Sequence, residues 1–194
     1  MTCMDEISLL SSVMEKTGDV VAAVTDDQRD RPTPCPDYDV AALIDHIVGW
    51  VQAFEAGANC REPEGDPSAY RAGDDPAGEF RAAADGLVAA WRDHGIDRKV
   101  RMASGGEIDG RMSFDMTLME YAVHGWDLAV ATGQPVPYTE AEAAAVLERA
   151  EVTLPPQYRG EGMPFGDIVA VPDTAPAVDR LVAFLGRRPD FPPA

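Results

Sequence analysis

The stretch Glu120–Tyr121–Ala122–Val123–His124–Gly125–Trp126–Asp127 sets the main constraint on this chain. It lies inside a helix predicted from about Ser113 to Thr132. Spacings of four and three residues stack Glu120, His124 and Asp127 on one helical face, with about one turn between the first two. Met116, Thr117, Val123 and Ala131 share that side, in a segment otherwise rich in Leu, Met, Val and Trp. With this side turned to a helical interior the polar stripe is half-buried, and carboxylates and imidazoles are seldom buried unpaired. A partner is therefore required from elsewhere in the chain. Of the three histidines, His46 is the best placed, at the edge of another apolar helical stripe. His46, Glu120 and His124 would make a His₂Glu set, the type used by catalytic zinc sites that keep a fourth position open. On residues alone a second reading competes: E-x-x-x-H also arises by chance, with Glu120 paired to an arginine and His124 packed in the core.

The rest of the sequence supplies elements to surround this helix. Residues 4–25 are amphipathic at helical period, with Ile7, Leu10, Val13, Met14, Val20, Val21 and Val24 inward. Asp39 is a good N-cap for a second helix from Val40 to about Ala56, with Gly57 as its terminator. A third helix is expected over Pro76–Asp93, ended by Gly95. Val100 and Met102 alternate with charged residues before Ser104–Gly105–Gly106, which predicts a short β-hairpin between Lys99 and Met112. Ser113 is the expected cap of the Glu120 helix. Thr139 with Glu142 three residues on is a capping-box signature opening a helix to about Glu151. Ile168–Val171 is a possible short strand, and a last helix is expected over Ala177–Leu185, closed by Gly186. No repeat or composition shift divides the 194 residues, so a single domain over 1–194 is expected, with an extended tail from about 187 to 194. Four longer helices with short accessory pieces suggest a helical bundle, an architecture that builds metal sites from facing helices.

Charge and cysteine content narrow the functional classes. The formal net charge is −18, which repels phosphate backbones and anionic membranes, so neither nucleic acid nor membrane is an expected partner. No apolar run is long enough to span a bilayer. The N-terminal residues carry Asp5 and Glu6 where a signal peptide has basic residues, and a cytoplasmic protein is expected. Cys3, Cys35 and Cys60 show neither CxxC nor CxxH spacing and predict no disulfide framework.

Thr33–Pro34–Cys35–Pro36–Asp37–Tyr38–Asp39–Val40, running into Leu43–Ile44–Asp45–His46–Ile47, resembles a TPCP-x-[aromatic]-x-V-x-x-L-x-x-H segment. Glu120 to Ala129, followed by Thr132–Gly133–Gln134, resembles the second motif of the same family, and Phe165–Gly166 through Gly186–Arg187 resembles its end. The family is the metal-binding domain of mycothiol-dependent maleylpyruvate isomerase and its stand-alone relatives, within the DinB-like superfamily. The resemblance covers about residues 5–190 and is weakest over 58–75. It implies a mainly α, up-down-down-up four-helix bundle, here with a short β-hairpin and accessory C-terminal helices. It also implies a divalent metal, usually zinc, held by His46, Glu120 and His124. The isomerase carries a further C-terminal domain that is not expected here, so the metal bundle carries over more directly than the isomerase reaction.

The leading expectation is a zinc-dependent S-transferase or isomerase acting on a small electrophile, with mycothiol, named by the resemblance, as cosubstrate. An open zinc position binds and deprotonates a thiol near neutral pH. Metal-activated hydrolysis and a non-catalytic metal- or ligand-binding bundle are the alternatives, and a monomer or homodimer is expected. No general base is identifiable, and the catalytic residues are unknown at this level. Asp127 either orients a ligand or pairs with an arginine. His94 is expected at a helix C-terminus, Cys35 in a structural loop, and Trp50 and Trp126 in the core or lining a pocket.

Overall fold

A computed structural model describes residues 5–160 and 165–191 of the protein. Cys3, Met4 and the last three residues of the expected tail lie outside them. Six helices dominate: α1 (Glu6–Ala22), α2 (Val40–Ala58), α3 (Pro76–His94), α4 (Gly110–Thr132), α5 (Glu140–Thr153) and α6 (Ala177–Phe184). The hairpin is a two-stranded antiparallel sheet, β1 (Lys99–Arg101) and β2 (Glu107–Asp109), with Val100 opposite Ile108.

Short acids start the first three helices. Asp5, Asp39 and Asp75 accept the backbone N–H of Ser8, Ala42 and Gly78, satisfying donors that a helix N-terminus leaves orphaned. α3 and α4 stop at Gly95 and Gly133, both at positive φ, as glycine after a helix does.

Two boundaries differ from expectation, each because a neighbouring backbone intervenes. Gly57 does not end α2. A Cβ there would strike the Arg101 carbonyl, so the glycine lets β1 lie against the last turn of the helix, which continues to Ala58. Ser113 does not cap α4, which begins three residues earlier and buries it. The Gly110 N–H donates to the Arg98 carbonyl at 2.6 Å, and the Asp109 carboxylate is taken by Lys99 at 2.7 Å. Ile168–Val171 forms no strand; Val169 N–H instead meets the Ala183 carbonyl at the end of α6.

α1 and α2 each pack against both α3 and α4, while α5 and α6 pack on each other and on α4. Leu10 and Met14, Leu43 and Ile47, Phe80 and Trp91, and Phe114 and Tyr121 meet in one core. Burying each such side chain stabilises by roughly 1.5–3 kcal/mol. α4 runs through the middle and is buried on almost every side. Gly125 makes part of this possible: a Cβ would lie 2.9 Å from Thr17 Oγ and would collide with the Tyr138 hydroxyl. That hydroxyl donates to the Tyr121 carbonyl at 2.6 Å and fixes the segment before α5 against α4.

The Thr139–Glu142 capping box is present, and its Glu142 is also a tertiary clamp. The buried carboxylate accepts from Lys16 (2.7 Å) and Ser12, both on α1. Burial alone would raise the Glu142 pKa, but Lys16, Ser12 and Thr139 outweigh it and hold it at about 2, against an ordinary 4.5. A carboxylate more acidic in the folded than in the unfolded chain stabilises fully above the unfolded value, and that stability is lost as pH falls through the folded value. The Tm advantage of the wild type over Glu142→Gln should therefore be constant above about pH 5 and fade between 4.5 and about 2. An advantage independent of pH in thermal melts would show that the charge does not act this way.

Candidate metal centre

α2 and α4 bring His46, Glu120 and His124 together. His46 Nε2 lies 2.6 Å from Glu120 Oε1, and His124 Nε2 lies 3.5 Å from the same oxygen. The imidazole centroids are 4.9 Å apart at 74°. The three candidate ligand atoms fall within 4.8 Å of one another. Donors around a tetrahedral zinc, each at about 2 Å, are about 3.3 Å apart, between the two separations found here. The side chains of His46 and Glu120 are 15% and 21% exposed and that of His124 is 7% exposed, so the cluster opens to solvent on the His46–Glu120 side.

Each imidazole is held from behind. His124 Nδ1 donates to Asp127 Oδ2 at 3.0 Å, and the Tyr38 hydroxyl meets His46 Nδ1 at 3.0 Å. The carboxylate on His124 Nδ1 favours the tautomer that leaves Nε2 to serve as a ligand atom, the usual arrangement behind metal-bound histidine, and the Tyr38 hydroxyl allows the same at His46 when it accepts from Nδ1. Burial, then the Cys35 thiol and the Glu120 carboxylate, push the Tyr38 phenol above its ordinary pKa, so it stays a neutral hydroxyl. Burial opposes ionisation of Glu120, but His124, His46 and Arg187 prevail and its pKa falls to about 2. The carboxylate is thus ionised at any physiological pH.

Asp127 pairs with an arginine and also holds His124. Its fully buried carboxylate accepts from His124 and from Arg187, whose Nε and Nη2 lie 3.2 and 3.1 Å from Oδ2. Arg187 is itself buried. Burial disfavours its charge, yet Asp127 more than compensates and its pKa sits above the ordinary value. Cys35, His124 and Asp127 form a second group of close donors, all buried. Its polar capacity is used internally, since Asp127 is shared by His124 and Arg187. Burial also pushes the Cys35 thiol up, only partly offset by Arg187. His94 is exposed at the end of α3 and joins neither group among the described residues.

Tyr38 and Arg187 were not singled out as site residues from sequence. Tyr38 stands within the quoted TPCP motif, eight residues before His46, so its proximity was open to view. Arg187 follows α6, 60 residues from Asp127, and no local pattern joins them.

Beyond the cluster, α2 continues from His46 to Trp50 and Phe54, with His46–Trp50 and Trp50–Phe54 centroids 6.2 and 5.9 Å apart. A cleft of about 130 Å³ lies here, lined by Trp50, Phe54, Met102, Ile108 and Met116 among others.

Removing one member of a buried ion pair strands the other, at a cost of about 3–5 kcal/mol. Arg187→Leu should lower the urea midpoint accordingly, and the double variant Asp127→Asn/Arg187→Leu should recover part of the loss. Equal stability of wild type and Arg187→Leu would remove the pair from the fold's support.

Residues 10–129, which include every member of the cluster, match the family model described as the mycothiol maleylpyruvate isomerase N-terminal domain. Two uncharacterized proteins of Mycobacterium tuberculosis, one from strain CDC 1551 / Oshkosh and one from strain ATCC 25618 / H37Rv, are each 32% identical over 189 residues. These alignments cover 95% of this chain and 98% of each relative. No solved structure matches the chain.

Proposed function

The chain belongs to the mycothiol maleylpyruvate isomerase N-terminal domain family, and from that premise we propose a divalent-metal enzyme, zinc-dependent, that uses mycothiol against a small electrophile as an S-transferase or isomerase. The observation that carries the reading is the convergence of two imidazole Nε2 atoms from different helices on one carboxylate oxygen. The donor set suits a borderline-soft divalent ion. His46, Glu120 and His124 are the proposed ligands, within one domain whose α1–α4 form an up-down-down-up four-helix bundle of the DinB-like kind. The proposed compartment is the cytoplasm.

When bound, zinc with three protein ligands supplies an open position that accepts a thiol and lowers its pKa. Tyr38 and Asp127 hold the two imidazoles in place, and Arg187 holds Asp127. Glu120 stays ionised and offers a charged ligand with no proton to lose. In the reaction, the S–H bond of the cosubstrate breaks and its sulfur bonds to an electrophilic carbon. In a transfer, the bond from that carbon to its leaving group breaks, the leaving group departs with the bonding pair and the proton goes to solvent. With an enone, the neighbouring carbon takes a proton, and isomerisation is completed by loss of a proton from that carbon and cleavage of the C–S bond, which returns the thiol. Cys35 is buried and its pKa is raised, so the attacking sulfur is assigned to the cosubstrate.

Purified protein should carry close to one divalent metal per chain by elemental analysis, and His46→Ala should lose most of it. Full occupancy in that variant would take His46 out of the set. Because the apolar core does not include the ligands, chelation should leave far-UV circular dichroism largely unchanged while lowering Tm, unlike small zinc domains that unfold without metal.

Metal-loaded protein should conjugate mycothiol to an electrophile with saturation. Glu120→Gln should impair this through weaker ligation, and Cys35→Ser should retain most of it. A metal-retaining Cys35→Ser protein without activity would reassign the nucleophile. Ester or amide cleavage without thiol would favour hydrolysis, and loaded protein with neither thiol binding nor turnover would favour a binding role.

A further inference from the structure

α4 is accessible along one narrow strip. Met112, Met116 and Glu120, spaced by four, are exposed or half-buried, while residues 113–115 and 117–119 are buried. α2 presents a matching strip, His46, Trp50 and Phe54, again spaced by four and each half-buried. Four-residue spacing keeps each set on one helical face. The strips face each other in opposite chain directions: His46 meets Glu120, and Trp50 and Phe54 share the cleft with Met116. The hairpin segment from Arg101 to Ser104, with Ile108, closes the side away from the cluster. The cleft, or trough, lined by aromatic and thioether side chains therefore begins one helical turn from the imidazole–carboxylate cluster on both helices, with the His46 and Trp50 ring centroids 6.2 Å apart.

We infer that this trough is the site for the electrophile, and that it selects an uncharged substrate carrying a single ring or a comparable branched alkyl group over one bearing a carboxylate. The inference deepens the proposed function and rests on that reading for the word electrophile. Size is the first argument. The cleft measures about 130 Å³, and an apolar cavity of about 150 Å³ takes one benzene. Lining is the second. Tryptophan and phenylalanine offer flat apolar faces, and methionine adapts its shape to a bound group.

Charge is the third argument. Among the described lining residues Arg101 is the sole cation, and its guanidinium is engaged by Glu62 at 2.7 Å. The nearest buried cation to the cluster, Arg187, is engaged by Asp127. A substrate carboxylate in the apolar end would leave water without a partner, and burying an unpaired charge is costly. The −18 net charge of the protein opposes its approach as well.

A matched pair of unreactive ligands tests this apart from metal and turnover. Butyrophenone and 3-benzoylpropanoate share the phenyl ketone and differ by a terminal methyl against a carboxylate. Full-length protein, as purified and after EDTA treatment, is titrated with each by calorimetry. After EDTA, butyrophenone should bind at least about tenfold more tightly than 3-benzoylpropanoate, the scale of a burial penalty for an unpaired carboxylate. Trp50→Ala should weaken butyrophenone at least about fivefold, as loss of an aromatic anchor does, with circular dichroism verifying the fold. Met116→Lys, at a half-exposed position that tolerates a charge, should reverse the preference.

Equal or tighter binding of the carboxylate to EDTA-treated wild type would overturn the inference, as would binding of neither ligand. Unchanged preference in folded Met116→Lys would overturn it too. These readouts use no metal and no thiol. Absence of bound metal or thiol turnover would therefore sink the proposed reaction while leaving the preference of the trough measurable.

Discussion

A fully buried carboxylate must have a cation or lose its charge, and Asp127 resolves this with Arg187, 60 residues further on. Much of the arrangement follows from that contact. Just after α6 comes Gly186 at φ +85°, a conformation open to glycine and strained for other residues. Gly186 N–H and Arg187 N–H return to the carbonyls of Ala183 and Val182, and this turn sends the arginine inward to α4. Gly166 passes so close that a Cβ on Gly186 would lie 2.7 Å from its Cα. The C-terminal segment thus closes behind His124 and fixes the ring through Asp127. The match of residues 10–129 to the family model leaves Arg187 outside, yet the buried carboxylate of Asp127 in the matched part is paired by it.

The two ends of the trough follow from one packing fact. α4 gives almost all of its surface to α1, α2, α5 and α6, and α1 approaches it closely over Gly125. Apart from Arg111 and Val130 near its ends, only the line Met112, Met116 and Glu120, spaced by four, remains partly open. Any ligand site on this helix must use that line. Polar donors gather where the neighbouring loop supplies Tyr38, and apolar side chains gather where the hairpin covers them. The glycines at 57 and 110 hold the hairpin there by letting its backbone touch α2 and enter α4 directly.

This division explains what was legible in the sequence. Helical period exposed Glu120, His124 and Asp127 as one stripe and His46 as the edge of another, because four-residue spacing is a property of the helix itself. Asp39, Gly95 and the Thr139–Glu142 box were equally visible, since caps are decided within a few residues. Gly57 and Ser113 misled because the deciding neighbour, the Arg101 carbonyl in one case and the 96–98 backbone in the other, is distant in sequence. Arg187 was invisible as a partner of Asp127 for the same reason. Glu142 was read as a cap alone, and its second role depends on Lys16 and Ser12 reaching it across the interface with α1.

Charge balance at the cluster gives the strongest physical reason for a cation there. Glu120 contributes one negative charge in a half-buried place. Arg187 lowers its energy from a distance, but that guanidinium is bonded to Asp127, and the pair is neutral as a unit. Tyr38 stays uncharged and Cys35 protonated, both for reasons of burial. The protein as a whole adds repulsion rather than compensation. A divalent cation would meet the charge of Glu120 and both imidazole nitrogens at once, which is the demand the proposed metal site makes of these three side chains. The Trp50–Met116 cleft carries no comparable charge, since its lining cation Arg101 is engaged by Glu62, and polar and apolar groups are thereby divided between the cluster and the cleft.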